Sequence, residues 1–238
     1  MAGQLNNSAI IIQARMSSNR LPCKIALDLS GKTVLERVID QCKYAESIAD
    51  IILATSSEPA DDITEEIGIR VGINVYRGSL LDVRSRYLDA GKGYDNIIRV
   101  TADNPFTEPS FIFHSINELE LNNYDYVSIS NCPYGSGVQG FKYKVLRYLN
   151  NLYDDKKNRE HVLIEKLLFN DEKFKTCLLK GDLFGDSNIK LTIDTFEDYV
   201  NSCIIYKELE KECLENNLEN VIPIYHNCHN EKEINKND

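Results

Sequence analysis

Residues 9–24 read AIIIQARMSSNRLPCK, and the rest of the chain is best understood outward from them. The apolar run Ala9-Ile10-Ile11-Ile12 has the length and pattern of a short buried strand. It leads into a loop carrying Arg15, Arg20 and Lys24, with Ser17, Ser18 and Asn19 between the arginines. Pro22 stiffens the loop's end, because its ring fixes φ. No acid occurs before Asp28, yet the whole chain has 27 Lys+Arg against 37 Asp+Glu, a formal charge of -10. A basic loop concentrated on an acidic chain marks a local anion site, not a surface for long polyanions. Three cations and small hydroxyl residues after a buried first strand suit a polyphosphate, whose oxygens accept from serines and backbone N–H groups. The competing reading is an exposed loop whose charges face water.

Beyond Asp28, strands and helices alternate. Thr33 and Glu36 form a capping-box pair ahead of an apolar face made by Val34, Leu35, Val38 and Ile39. Residues 50–55, 74–78 and 96–100 read as further strands, and 60–70 and 80–90 as helices. The acids early in 60–70 suit the N-terminal end of a helix dipole. Four strand–helix units in about 100 residues predict an α/β fold, a mainly parallel sheet with helices on both faces. Ligands of such sheets sit beyond the carboxyl ends of the strands. That rule brings the basic loop, Thr55-Ser56, Arg77-Gly78 and Asp103 to one rim. Further on, 109–121, 144–153, 159–169 and 195–215 read as helices, and 126–130, 173–179 and 188–193 as strands. NCPYGSGVQGF, rich in glycine, reads as a loop or a bulged strand. The last ten residues, HNEKEINKND, are expected to be disordered.

Composition narrows the function classes. A pI near 5.0 argues against broad nucleic-acid binding. No run of about 18 apolar residues exists, so no membrane partner is expected. The start, MAGQLNNS, lacks the basic and apolar regions of a signal peptide. Seven scattered cysteines without CxxC spacing predict reduced thiols and a cytoplasmic location.

Asp103 and Asp194 each follow an expected strand directly. Two carboxylates opposite a phosphate-binding loop are hard oxygen ligands of the kind Mg²⁺ takes in nucleotide sites. Each could instead cap a following helix. His161, in Arg159-Glu160-His161, could bind an anionic substrate or act as an acid–base, or simply pack on the surface. His226-Asn227-Cys228-His229 has no second cluster at zinc spacing. No base is placed beside Cys23, so it is not read as a nucleophile.

The run Gln13–Lys24 resembles the QARMGSTRLPGK signature of cytidylyltransferases related to CMP-Kdo and acylneuraminate synthetases, in particular the spore-coat-polysaccharide-type branch. Further matching blocks follow in order: Leu35–Val38, Ala54–Ser56, Tyr76–Ser79, Asp82-Val83, Arg86-Tyr87, Arg99–Asp103, Arg159–Val162 and Leu191–Thr195. The resemblance spans about residues 9–210 and implies a Rossmann-like nucleotide-diphospho-sugar transferase fold. It implies transfer of CMP from CTP to an acidic sugar with release of pyrophosphate, for surface glycan. By this resemblance Ala14, Arg15, Ser18, Arg20 and Lys24 bind nucleotide, with Arg15 and Lys24 catalytic on the triphosphate. Ser56, Arg77 and Gly78 lie near the base or ribose. Gln139, Arg159 and His161 face the acceptor, and Asp103 and Asp194 hold Mg²⁺. Residues 1–220 form one nucleotidyltransferase domain, 125–170 serve the acceptor and a homodimer contact, and 221–238 are a tail.

The departures from that pattern are informative. Two family glycines are Ser17 and Cys23 here, and TGDCP has become TADNP, which keeps the Asp. The acceptor segment PDGLDVEVF appears as Pro133–Phe141, with its two acids replaced by Gly137 and Gln139. These replacements imply a changed acceptor, and loss of two acids favours a more anionic one, such as a phosphate or phosphonate. A different nucleotide, or a non-catalytic nucleotide-binding role, are the competing readings.

Overall fold

Ile10, Ile11 and Ile12 are all fully buried, because the strand they form has neighbours on both edges and cover on both faces. Burying each such side chain contributes about 1.5–3 kcal/mol. The computed structural model describes residues 8–152, 161–163, 165–181 and 188–234. The chain runs β1 (Ser8–Gln13), α1 (Val34–Lys43), β2 (Asp50–Ser56), α2 (Asp62–Arg70), β3 (Asn74–Gly78), α3 (Val83–Ala90), β4 (Asn96–Thr101) and α4 (Pro109–Glu120). It continues as β5 (Tyr126–Ser130), β6 (Gln139–Lys142), α5 (Tyr143–Leu152), α6 (Glu165–Asn170), β7 (Thr176–Lys180), α7 (Phe196–Lys211) and α8 (Leu218–Ile234).

The seven strands form one sheet in the order β3-β2-β1-β4-β6-β5-β7. Pairings are parallel except those of β6 with β4 and β5. The sheet is therefore mainly parallel, as expected. Connections proceed one way from β1 through β2 to β3, then return to the other side of β1 for β4. Such a reversal opens a crevice at the strand ends. Period-two alternation divides the core. Ile10, Ile12, Ile98 and Val100 pack on one face with Leu35 and Val38 of α1 and Ile112 and Ile116 of α4. Ala9, Ile11, Ile97 and Phe141 pack on the other with Tyr87 of α3 and Val145 of α5.

The capping box on α1 forms as the sequence requires: Thr33 accepts from the Glu36 N–H, and Glu36 accepts in return from the Thr33 N–H.

Three expectations need correction. Residues 188–193 form no strand of the sheet and carry only an isolated bridge, Tyr134 to Lys190. Their backbone is bonded to loops instead: Tyr134 N–H donates to Ile189, Leu191 N–H to Tyr134, and Ile193 N–H to Asp103. The expected helix 159–169 is helical only over Glu165–Asn170 among the described residues, and residues 161–163 lie outside it. The end expected to be disordered is helical as far as Ile234, in α8, which begins inside the supposed domain boundary. Leu218 and Val221, three residues apart on α8, are buried, and the Leu218 N–H donates to Glu108, itself the cap of α4. That anchoring outweighs the polar character of the segment and the lost N–H of Pro223. Residues 235–238 lie outside the described residues.

Gly135 sets the approach of the 188–193 segment. Its φ is +99, and a Cβ there would lie 2.6 Å from the Thr192 nitrogen. Gly135→Ala is expected to destabilise the fold by about 2–4 kcal/mol, from backbone strain plus overpacking. Urea unfolding measures this; an unchanged midpoint would contradict the close approach.

Candidate active site

A cavity of about 930 Å³ opens beyond the carboxyl ends of β1 and β4 and extends past the end of β5 and the start of β6. Ala14, Arg15, Ser18, Arg20 and Lys24 line one side of it. Their loop is tied at both ends to one residue. The Met16 N–H donates to Asp61 Oδ1 at 2.6 Å, and the Met16 carbonyl accepts from the Cys23 N–H at 3.1 Å. The loop thus holds its shape through anchors on its backbone rather than through its cations.

Cys23 answers the question posed by the missing glycine. It stands at φ 57, ψ 18, so the left-handed turn is kept without a glycine. Ser17 is not among the residues of positive φ. A left-handed conformation strains a residue with a Cβ. Cys23→Gly is therefore expected to raise stability by about 0.5–1 kcal/mol, the relief of strain exceeding the added freedom of the unfolded chain. The denaturation midpoint should rise at constant m; a fall would show that the thiol makes a stabilising contact.

At the cavity floor, the Lys24 ammonium is shared. Nζ donates to Asp103 Oδ2 at 2.7 Å, to Asp194 Oδ1 at 3.1 Å and to the Ile193 carbonyl at 2.7 Å. Arg20 Nη2 adds a contact to Asp194 Oδ1 at 2.9 Å. The Lys24 and Asp194 side chains are only 10% and 11% exposed, so their attraction is less screened than at a surface. Three sequence-distant segments are brought together: the basic loop, the end of β4 and the segment before α7. Thr195, not Asp194, caps α7, so Asp194 remains directed at Lys24. Asp198 supports this placement by accepting from the N–H groups of Asp194 and Thr195 and from Lys190 Nζ. Burial alone would push the Asp198 carboxyl up, but the Lys190 contact and those N–H donors outweigh it and hold it below the usual range.

Two carboxylates converging on one point, each keeping an oxygen not used on Lys24, fit a hard divalent ion that completes its shell with water and phosphate oxygens. No cluster of three or more ligating side chains occurs among the described residues. Such an ion would therefore depend on the substrate for part of its coordination.

The other expected site residues are placed differently. Gln139 lines the cavity from β6. Ser56 is fully buried, and its hydroxyl donates to Asp61. Arg77 is bound to α2 through Asp62 and Glu65, each at 2.7 Å, and to the Ser56 and Glu58 carbonyls. Gly78 packs against Arg86. None of these three lines the cavity. His161 is exposed, away from the cavity lining, and its carbonyl accepts from Arg84. Arg159 lies outside the described residues.

A family model described as cytidylyltransferase matches residues 9–227. The chain belongs to the cytidylyltransferase family. It is a nucleotidyltransferase by that membership. It is 36% identical over 204 residues to an uncharacterised protein of Methanocaldococcus jannaschii, covering 84% of this chain and 82% of that one. It is 30% identical over 213 residues to the spore coat polysaccharide biosynthesis protein SpsF of Bacillus subtilis, covering 86% and 88%. The solved structure of a cytidylyltransferase from Leptospira borgpetersenii superposes with a TM-score of 0.85 at 30% identity, covering 94% of this chain and 96% of that one.

Two features of this cytidylyltransferase's rim were not found by sequence reading. Asp61 reads as a helix-dipole acid, yet it is buried and joins Met16 to Ser56. Arg86 is 1% exposed, and its three guanidinium nitrogens have no hydrogen-bond partner among the described residues. Burial lowers its pKa, and the nearby charge of Arg15 adds to that, against Tyr87, Asp61 and Asp82. The spacing of Asp82-Val83 and Arg86-Tyr87 was the available signal for Arg86. All seven cysteines are free, as expected. No helix among the described residues is long and apolar enough to cross a membrane.

Proposed function

We propose that this cytidylyltransferase transfers CMP from CTP to a small anionic acceptor with release of pyrophosphate, in a Mg²⁺-dependent reaction serving surface polysaccharide. The observation that carries the reading is the Lys24 ammonium held between Asp103 and Asp194 on the floor of a cavity lined by the basic loop. The relation to a spore coat polysaccharide biosynthesis protein supports a glycan role.

An acceptor oxygen forms the new bond to the α-phosphorus, and the bond from that phosphorus to the departing pyrophosphate oxygen breaks. In this scheme Arg15, Arg20 and Lys24 receive the triphosphate and stabilise the charge that grows on the leaving group. Ser18 and the N–H groups of its loop donate to phosphate oxygens. Lys24 keeps the two carboxylates together before substrate binds, and since its three donors are taken by Asp103, Asp194 and the Ile193 carbonyl, it exchanges at least one of them for a phosphate oxygen. Asp103 and Asp194 would hold Mg²⁺, which offsets phosphate charge and orients the oxygens. Catalysis of this kind is mostly positioning and electrostatics.

The test is pyrophosphate release with Mg²⁺ and each of CTP, UTP, ATP and GTP, against acidic sugars, sugar phosphates and small phosphonates. Release with CTP and one acceptor class is expected. Release with another nucleotide would keep the fold and replace the function. Neither release nor CTP binding by calorimetry would overturn the reading.

A further inference from the structure

A fourth cation lines the same cavity, outside the basic loop. Arg99 lies in β4, in register with Gln139 of β6. Its Nη1 donates to Gln139 Oε1 at 2.8 Å, and its Nη2 reaches Gln13 Oε1 at a long 3.4 Å. Its Nε is buried and has no hydrogen-bond partner among the described residues. The Tyr87 phenol beside it is pushed up to about 12 by burial, against the pull of Arg99 and Arg86, so it is neutral at pH 7. None of these contacts is a carboxylate. Glu165, the acid in this part of the wall, spends Oε1 on the Tyr126 hydroxyl and the Gln139 amide nitrogen instead. Gln139 therefore stands between the guanidinium and the acid, its oxygen towards one and its nitrogen towards the other.

A guanidinium held by amides keeps its charge for a ligand, and its planar fork matches two oxygens of one anion. Burying such a cation without an acid is costly, so a ligand that supplies the negative charge gains more there than at an exposed arginine. The triphosphate already has Arg15, Arg20 and Lys24 on the loop side of the cavity. We propose that Arg99, oriented by Gln139 and Gln13, binds the anionic group of the acceptor, a carboxylate or a phosphoryl group. The assignment rests on the transferase reading above. Gln139 sets the specificity: a carboxylate in its place would pair with Arg99 and close the anion site.

The test uses the full chain labelled with ¹⁵N-arginine and saturated with CTP and Mg²⁺. Sodium acetate and sodium phosphate are titrated separately, following the arginine Nε–H signal that is lost in Arg99→Lys. A saturable shift with one of the two anions is expected, with acetate marking a carboxylate acceptor and phosphate a phosphoryl one. Gln139→Glu should weaken that anion's Kd about tenfold or more, the scale of one charge-assisted hydrogen bond. Because Gln139→Glu changes no core volume, it keeps the test valid if Arg99→Lys fails to fold. No saturable shift, or an unchanged Kd in Gln139→Glu, would overturn the proposal. CTP binding is read separately by calorimetry. Its absence would sink the transferase reading, whereas CTP binding with a silent Arg99 would sink this one.

Discussion

Replacing Lys24 with methionine is expected to lower turnover about 10²–10³-fold, the scale of losing one preorganised donor, and to destabilise the fold by about 2–4 kcal/mol. The two effects have different origins. Turnover falls because the α-phosphate and the departing pyrophosphate lose a cation. Stability falls because Asp103 and Asp194 are left facing one another without the ammonium that both now contact. The estimate lies at or below the range for fully buried pairs, since Asp103 is 26% exposed and partly screened by water. A double variant separates the causes. Lys24→Met with Asp103→Asn removes the uncompensated charge, since Asp194 keeps Arg20, so most of the stability should return while turnover stays low. Urea unfolding and pyrophosphate release measure the two. Wild-type turnover in Lys24→Met would remove Lys24 from the catalytic scheme.

Asp103→Asn is expected to lower turnover by about 10³-fold, with only a modest change in stability. The amide keeps the shape of the carboxylate and can still accept from Lys24, which retains Asp194 and the Ile193 carbonyl. What it loses is the negative charge that a divalent ion requires. Asp194→Asn should act similarly, with a further loss of its contact to Arg20. Calorimetry with CTP in the absence of metal should give a Kd close to that of the unaltered chain, because the loop cations are untouched. Near-normal turnover in Asp103→Asn would overturn the metal assignment.

Much of this architecture can be read from local pattern. The isoleucines of β1 mark a fully buried strand, and that is what they form. Thr33 and Glu36 mark the start of α1, because a capping box involves residues only three apart. The rim rule correctly brings Asp103 to the basic loop, since it needs only strand direction. What failed was non-local. The segment 188–193 has a strand's composition, but its N–H and C=O groups are taken by the Tyr134 and Asp103 backbone. The glycine-rich segment, read as a loop or a bulged strand, supplies β6 between β4 and β5, where a Cβ at Gly140 would crowd Ile98, Leu119 and Ser115; which strands it joins was not legible locally. The polar α8 is held by buried contacts at its first turn that its own composition does not advertise.

The sequence by itself determined the strand–helix rhythm, the mainly parallel sheet, the basic loop after the first strand and the acid that follows β4. These depend on periodicity and on neighbours a few residues apart. Only the tertiary structure decided that Lys24 is held by Asp103 and Asp194, that Arg77 is occupied by α2, and that Arg99 stands in the cavity wall among amides. Those outcomes depend on which partner a charged group finds across separations of 79 and 170 residues for Lys24. No local pattern carries that information, because a cation on a loop or strand looks the same in sequence whether an acid, an amide or a ligand meets it.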